Sequence, residues 1–329
     1  MFADFHQIEK ILIIRLSSLG DIILTTPVIR AIKLKFPHLK IDFLVKESFI
    51  ETVKYNKHID TVHTYEKDID GLLTGKYDLV LDLQNNRRSR KITEKLGGMV
   101  EKFSKPQLKK FLLVNFKINL FNTIVPISER YAENLVGINV EEPPEIYTDN
   151  LKISLPEIFN SGKKVIGICP GSKHYTKMWP EEYYKNLALK LIDVGYNVVI
   201  FGGNSDIETG ERISGAVSGV VNLTNEDRLS DTVNLMQYCE AVVCNDSGMM
   251  HTATAARVNV VAIFGSTVRE FGFAPFSEKA VVIENTSLSC RPCSHIGKSF
   301  CPKGHFRCML DLTPEVVFEK LKNLLESHG

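Results

Sequence analysis

Long apolar runs are missing from this 329-residue chain. Stretches such as Ile11–Ile14 and Phe111–Val114 are far shorter than the roughly 20 residues a membrane-spanning helix needs, so no transmembrane helix is expected. An excess of one charge is missing too. Forty Lys+Arg stand against 39 Asp+Glu, a formal net charge of +1, which argues against a polycation built for nucleic acid. A signal-peptide pattern is missing, because Asp4, His6 and Glu9 precede the first apolar run, and a cytoplasmic location is the expectation. The seven cysteines are an odd number, and Cys169, Cys239 and Cys244 fall in apolar segments. A secreted disulfide scaffold is a poor match. Two glycine fingerprints are missing as well. No G-x-G-x-x-G follows the first strand-like segment of either half, and no G-x-x-x-x-G-K-[ST] occurs. A nicotinamide dehydrogenase and a P-loop ATPase are thereby set aside.

What is present reads as α/β. Hydrophobic residues at 44% and charged residues at 24% fit a soluble globular chain, and the length fits two domains. Ile11–Leu16 is an apolar run broken only by Arg15, as in a strand buried on both faces. The turn Ser17–Gly20 follows, then a helical pattern from Asp21 to Phe36 in which Pro27 predicts a kink or a late start. Ile41–Val45, Val62–Tyr65 and Tyr77–Leu83 read as further strands. Proline and a Ser-Gly pair mark a linker near Glu141–Gly162. The rhythm then restarts with strands at Lys164–Cys169, Asn197–Phe201, Ala241–Cys244 and Asn259–Phe264. Helices are expected at Trp179–Val194, Leu229–Glu240, Met249–Arg257 and Thr313–Ser327. The expected organisation is an N-terminal domain over 1–155 and a C-terminal domain over 156–329. Each is a Rossmann-like parallel sheet facing the other across a cleft, with the last helix packing back on the first domain.

Several strand ends carry residues suited to chemistry. Asp21 follows the first strand and a tight turn; it reads either as an acid serving a helix N-terminus or as a general base. Cys169-Pro170-Gly171-Ser172 and the loop to Lys177 offer small residues and a cation for an anion. Asn245-Asp246-Ser247-Gly248, with His251, joins a buried strand to a helix whose free N–H groups suit a phosphate; ordinary capping is the alternative. Gly202-Gly203-Asn204-Ser205-Asp206 repeats the theme, and Asp206 or Glu208 suits a ribose hydroxyl. Residues 87–117 hold ten Lys/Arg and two acids, with Phe103, Leu108, Phe111, Leu112, Leu113 and Phe116 interleaved. They read as a docking patch for an anionic partner, opened by Arg87, Arg88, Arg90 and Lys91, or as a solvated helix face with its Phe and Leu buried behind it.

Leu16-Ser17-Ser18-Leu19-Gly20-Asp21 with Thr25-Thr26-Pro27 resembles the opening of the family 9 glycosyltransferases, the ADP-heptose–lipopolysaccharide heptosyltransferases. The likeness continues in order through Pro170-Gly171-Ser172, Lys177-Met178-Trp179-Pro180, Gly202-Gly203, Asn245-Asp246-Ser247-Gly248 with His251, and Phe264-Gly265-Ser266-Thr267. The resemblance implies the two-domain GT-B fold, an ADP-heptose donor in the C-terminal domain and an inner-core lipopolysaccharide acceptor in the N-terminal one. It implies inverting transfer without a metal at the chemistry, on the cytoplasmic face of the inner membrane in peripheral contact with it. Asp21 is then the general base and Lys177 the cation on the leaving diphosphate. Gly171, Ser172, Gly203, Asp206, Glu208, Asp246, Ser247, Gly248 and His251 are donor contacts, and Arg87, Arg88, Arg90 and Lys91 acceptor contacts. A relative that modifies protein or uses another nucleotide sugar stays open, as does a non-catalytic module that binds an anionic ligand or nucleic acid.

Cys290, Cys293, Cys301 and Cys308 follow a C-x₂-C-x₇-C-x₆-C spacing with His295 and His305 among them. One C-x₂-C knuckle is compatible with a structural Zn or Fe; reduced buried thiols and disulfides are the other readings.

Overall fold

The computed structural model describes residues 5–149, 154–224 and 228–327. The chain divides into two compact units, one of Met1–Lys105 with Val125–Asp149, the other of Pro106–Ile124 with Asn150–Gly329. The expected single boundary at 155/156 thus misses the excursion 106–124, and residues 150–153 of the expected linker lie outside the described residues.

In the first unit β1 (Lys10–Ile14) leads to α1 (Leu19–Ile23) and α2 (Thr26–Lys35). The single helix expected from Asp21 is therefore two, and Pro27 sits in the first turn of the second, where its missing N–H costs nothing. Then come β2 (Lys40–Val45), β3 (Thr61–Thr64), α3 (Ile69–Leu73), β4 (Leu79–Asp82), α4 (Arg87–Leu96) and β5 (Met99–Lys102). Helix α5 (Gln107–Phe116) belongs to the second unit, and α6 (Ile127–Ala132) returns to the first. All pairings are parallel, in the order β3-β2-β1-β4-β5. Central β1 explains its sequence: Ile11–Ile14 are wholly buried because helices cover both faces of the sheet.

The second unit repeats the plan. Its elements are β6 (Val165–Cys169), α7 (Glu181–Asp193), β7 (Asn197–Ile200), α8 (Ile207–Ala216), β8 (Val220–Asn222), α9 (Leu229–Met236), β9 (Ala241–Asn245), α10 (Gly248–Ala255), β10 (Asn259–Phe264), β11 (Ala280–Glu284), α11 (Arg307–Leu310) and α12 (Pro314–Ser327). The parallel order is β11-β10-β9-β6-β7-β8. Trp179 and Tyr184 lie edge to face in its core. Trp179 Nε1 donates to Leu312 O (2.7 Å) and the Tyr184 hydroxyl to Cys169 O (3.1 Å). Val317, Leu321 and Leu324 of α12 belong to this same core, and α12 packs on α7. Its apolar face, expected to return to the first domain, is used within its own unit. No helix among the described residues is long and apolar enough to cross a membrane.

Arg291 binds the margin of this unit together. Its guanidinium donates to Gly265 O (2.5 Å), Asn285 O (2.6 Å) and Thr267 O (2.8 Å), and pairs with half-buried Glu284 (2.9 Å). Arg291→Ala leaves these acceptors in a dry site and is expected to cost about 3–5 kcal/mol, read from denaturant melts; an unchanged midpoint would show that the network carries no stability.

Candidate functional site

Each sheet reverses its strand order at one place, β1/β4 in the first unit and β6/β9 in the second. At such a reversal the connections leave in opposite directions and open a crevice at the carboxyl ends of the two strands. The residues singled out in the sequence gather mainly at these two places.

In the first unit the chain leaving β1 is tied to the chain leaving β4. Leu16 N and Ser17 N both donate to Gln84 Oε1 (2.9 and 3.2 Å), and Arg15 donates to Leu83 O (2.6 Å). The same guanidinium meets Asp21 Oδ1 at 2.6 Å, and Asp21 Oδ2 accepts from Ser18 N (3.3 Å) and Ser18 Oγ (2.7 Å). Burial opposes ionisation of Asp21, but the Arg15 charge and the Ser18 hydrogen bonds outweigh it and hold its carboxyl below the usual range. A carboxylate has about four acceptor positions, so these three partners leave room on Oδ1.

Beside it α4 starts at Asn86, whose Oδ1 accepts from Arg88 N (2.9 Å) and Ser89 N (3.1 Å). Arg87, Arg88, Arg90 and Lys91 are exposed in the first two turns, with Arg90 on Asn85 Oδ1 (3.1 Å). Four cations near the positive end of a helix oppose its dipole; an incoming anion relieves that repulsion. The basic stretch 87–117 divides between the units, 87–105 falling in the first and 106–117 in the second. Its apolar residues are not all hidden: Phe103 and Leu113 are buried, whereas Leu108, Phe111 and Phe116 are exposed.

In the second unit Asn245 ties the two strand ends, donating to Pro170 O (2.7 Å) and accepting from Trp179 N (2.9 Å). Lys177 Nζ pairs with Asp246 Oδ2 (2.8 Å), which also accepts from Thr267 Oγ1 (2.6 Å). The turn bearing Lys177 hangs on Thr176, whose N donates to Lys298 O (3.1 Å). Its Oγ1 accepts from Lys298 N (2.8 Å), and its carbonyl accepts from Ser266 N (3.2 Å). Ser247 occupies the cap position of α10 yet makes no capping hydrogen bond with its side chain; its Oγ is shielded from solvent and has no hydrogen-bond partner. Ordinary capping by Ser247 is thus not what occurs, and a buried hydroxyl beside free helix N–H groups is an acceptor-seeking arrangement. Gly248 opens the helix and His251 lies buried in its first turn.

Ser172 lies in the loop after β6, beside Gly171. A Cβ at Gly171 would overlap the Asp206 carboxylate, so the loop can lie against Asp206 only without a side chain. Asp206 accepts from Gly203 N (3.0 Å) and Ser205 Oγ (3.2 Å), so it braces its own turn while lining the loop after β6. Glu208 is exposed and lies 3.8 Å from Arg212 on its own helix. Arg15, Gln84, Thr176 and Thr267 were not singled out as site residues. Arg15 left a signal, the one charge in a buried strand run; Gln84, Thr176 and Thr267 act through tertiary hydrogen bonds that spacing does not encode.

All seven cysteines are free thiols, which removes the disulfide reading. Cys290 Sγ lies 3.7 Å from His305 Nε2, and burial pushes the Cys308 thiol up to about 12. Among the described residues no three His, Cys, Asp or Glu side chains gather as metal ligands. As folded, the four cysteines do not form a closed metal site.

The family model described as "Glycosyltransferase family 9 (heptosyltransferase)" matches residues 69–303. Lipopolysaccharide heptosyltransferase 2 of Escherichia coli (strain K12) is 36% identical over 194 residues, 57% of this chain and 53% of that protein. This alignment spans about half the relative's length. Lipooligosaccharide heptosyltransferase 2 of Haemophilus ducreyi (strain 35000HP / ATCC 700724) is 25% identical over 96% of this chain and 99% of its own. The solved E. coli ADP-heptose lps heptosyltransferase II superposes with a TM-score of 0.72 and 26% identity, covering 97% of this chain and 99% of that one.

The Arg15–Asp21 pair gives a direct expectation. In a carbon-detected NMR titration Asp21 ionises below the ordinary aspartate value of 3.8, and Arg15→Met moves it upward, since burial remains while the opposing charge goes. The native pair's contribution to stability is present at neutral pH and is lost as pH falls through that depressed value. A titration at the ordinary value, or no upward movement in the variant, refutes the pairing.

Proposed function

This chain belongs to glycosyltransferase family 9 (heptosyltransferase), and on that premise we propose that it transfers heptose from ADP-heptose to an inner-core sugar of lipopolysaccharide, with inversion at the anomeric carbon. The observation that carries the reading is the second unit's strand reversal. A lysine, a helix N-terminus and an unpartnered buried hydroxyl converge there, as a diphosphate requires. The first unit supplies an ionised carboxylate and exposed cations for an acidic acceptor.

The chemistry follows from these groups. An acceptor hydroxyl attacks the anomeric carbon from the face opposite ADP, its proton passes to Asp21 Oδ1, and the bond from that carbon to the phosphate oxygen breaks. The charge that grows on the β-phosphate is met by Lys177, Ser247 Oγ and the first N–H groups of α10. Asp246 and Thr267 keep Lys177 aimed, and Thr176 fixes its turn. Gly171, Ser172, Gly203, Asp206 and His251 border the donor, while Glu208, out on α8, is the weakest member of that set. Arg87, Arg88, Arg90 and Lys91 receive the acidic acceptor, which is borne on lipid at the cytoplasmic face of the inner membrane.

Asp21→Asn is expected to lower kcat by about 10²–10⁴ with ADP affinity unchanged in calorimetry. Lys177→Ala is expected to lower kcat by about 10²–10³ and to weaken ADP. Near-native turnover by the Asp21 variant removes the base assignment, and no turnover of ADP-heptose by the native chain with inner-core acceptors removes the reading itself. A structural Zn or Fe at Cys290, Cys293, Cys301 and Cys308 requires the loop to draw its sulfurs together. Elemental analysis of protein purified without added metal is then expected to find about one equivalent per chain, lost in Cys290→Ser/Cys293→Ser; a metal-free native protein rejects it.

A further inference from the structure

Tyr131 is a titratable group of the first unit that the mechanism above leaves unused. It lies on α6, whose Ser128 Oγ donates to Leu24 O (2.9 Å) at the end of α1, so α6 is fastened to the helix that carries Asp21. The ring packs edge to face on Phe103, with 4.8 Å between ring centres. Its face meets the Arg15 guanidinium, whose central carbon is 5.7 Å from the ring centre. That guanidinium is the one that holds Asp21 Oδ1 at 2.6 Å. Burial pushes the phenol above its ordinary ionisation range, with Arg15 opposing the rise and Asp21 adding to it, so the hydroxyl keeps its proton.

Only 4% of Tyr131 is exposed. Its hydroxyl nonetheless makes no hydrogen bond among the described residues and is not sealed from solvent. A ring wanted for packing alone is served by phenylalanine, as Phe103 is beside it. A phenol that packs its ring and leaves its oxygen unbonded, next to an ion pair it does not join, keeps a donor in reserve. The pairing with Asp21 narrows what that donor meets. An ionised carboxylate only accepts, whereas a phenol that keeps its proton donates. An inorganic anion gains nothing from the carboxylate, and a metal ion gains nothing from the phenol proton. A sugar edge uses both, because one hydroxyl gives its proton to Asp21 while the neighbouring oxygen accepts from Tyr131.

We propose that the Tyr131 hydroxyl binds the acceptor sugar, donating to the oxygen next to the hydroxyl that attacks, so that the acceptor is held as a vicinal diol between Tyr131 and Asp21. The assignment rests on the transfer reading for the identity of that sugar. It makes Tyr131 a determinant of which hydroxyl is turned toward the base, a role that the cations of α4, which meet acidic groups, do not fill.

Tyr131→Phe tests this by deleting one oxygen and keeping the ring on Phe103 and Arg15. KM for a soluble inner-core oligosaccharide is expected to rise about 3- to 10-fold, with kcat within about twofold and with ADP affinity and the thermal midpoint unchanged. Among monodeoxy acceptors, the one lacking the neighbouring hydroxyl loses the same factor with the native chain and nothing further with the variant, while the others lose equally with both. An unchanged acceptor KM, or equal losses with both proteins for every deoxy acceptor, overturns the assignment. A lowered thermal midpoint together with weakened ADP makes the hydroxyl structural and overturns it too. Calorimetry with the same oligosaccharide and no ADP-heptose separates this from the transfer reading: the variant is expected to bind it more weakly by the same factor, and equal Kd values overturn the assignment. If binding weakens as expected but the native chain transfers no heptose, the transfer reading falls and the sugar contact stands.

Discussion

Reversal of strand order is the constraint from which the rest follows. A parallel sheet needs a crossover after each strand, and every crossover lays a helix against one face. Where the chain builds outward from β1 to β2 and β3, then returns to add β4 and β5 on the other side, neighbouring strand ends send their connections apart. The same occurs at β6 and β9. The crevice left there is a consequence of topology, and the loops after those strands border it. Asp21 and the opening of α4 in one unit, Lys177 and the opening of α10 in the other, are placed by that rule before any chemistry is considered.

How much of this was legible in the sequence depends on burial. Central strands such as Ile11–Ile14 and Asn259–Phe264 are buried on both faces and read as apolar runs. Edge strands β5, β8 and β11 did not announce themselves. Met99-Val100-Glu101-Lys102 is half charged, Val220–Asn222 is three residues long, and Ala280–Glu284 is largely half-buried. An edge strand has one neighbour and needs fewer apolar residues, and charge there discourages pairing with other chains. The motif residues at the strand reversals were legible because glycine and small polar residues interrupt the apolar rhythm there. Their supports were not. Gln84 joins two loops far apart in sequence, and Thr176 is bonded to Lys298 from 122 positions away.

Residues 87–117 show a different limit. Charge counting finds the cations but treats the stretch as one patch. In the fold the cations of α4 surround a helix N-terminus, whereas α5 tucks a lysine under its aromatic neighbours and turns its own rings outward. Periodicity reports that a helix has two faces. It does not report which face meets the protein: here Lys110, Leu112, Leu113 and Val114 are buried or half-buried, and Leu108, Phe111 and Phe116 are exposed.

The two strand reversals share a further device, a charged group held by its opposite. Asp21 stands on Arg15, and Lys177 stands on Asp246, itself braced by Thr267. A lone charge in such a crevice would be costly to desolvate and free to swing. The partner behind it offsets the first cost and removes the second freedom, at the expense of part of the field the group projects. For the proposed transfer that exchange is favourable, because catalysis depends on groups already oriented when charge develops and not on the strongest charge available. Arg15 keeps Asp21 ionised through their 2.6 Å contact, and Asp246 holds the Lys177 ammonium at 2.8 Å. Under the proposed transfer, the diphosphate joins a pair already built and takes the remaining hydrogen-bonding capacity of the Lys177 ammonium group.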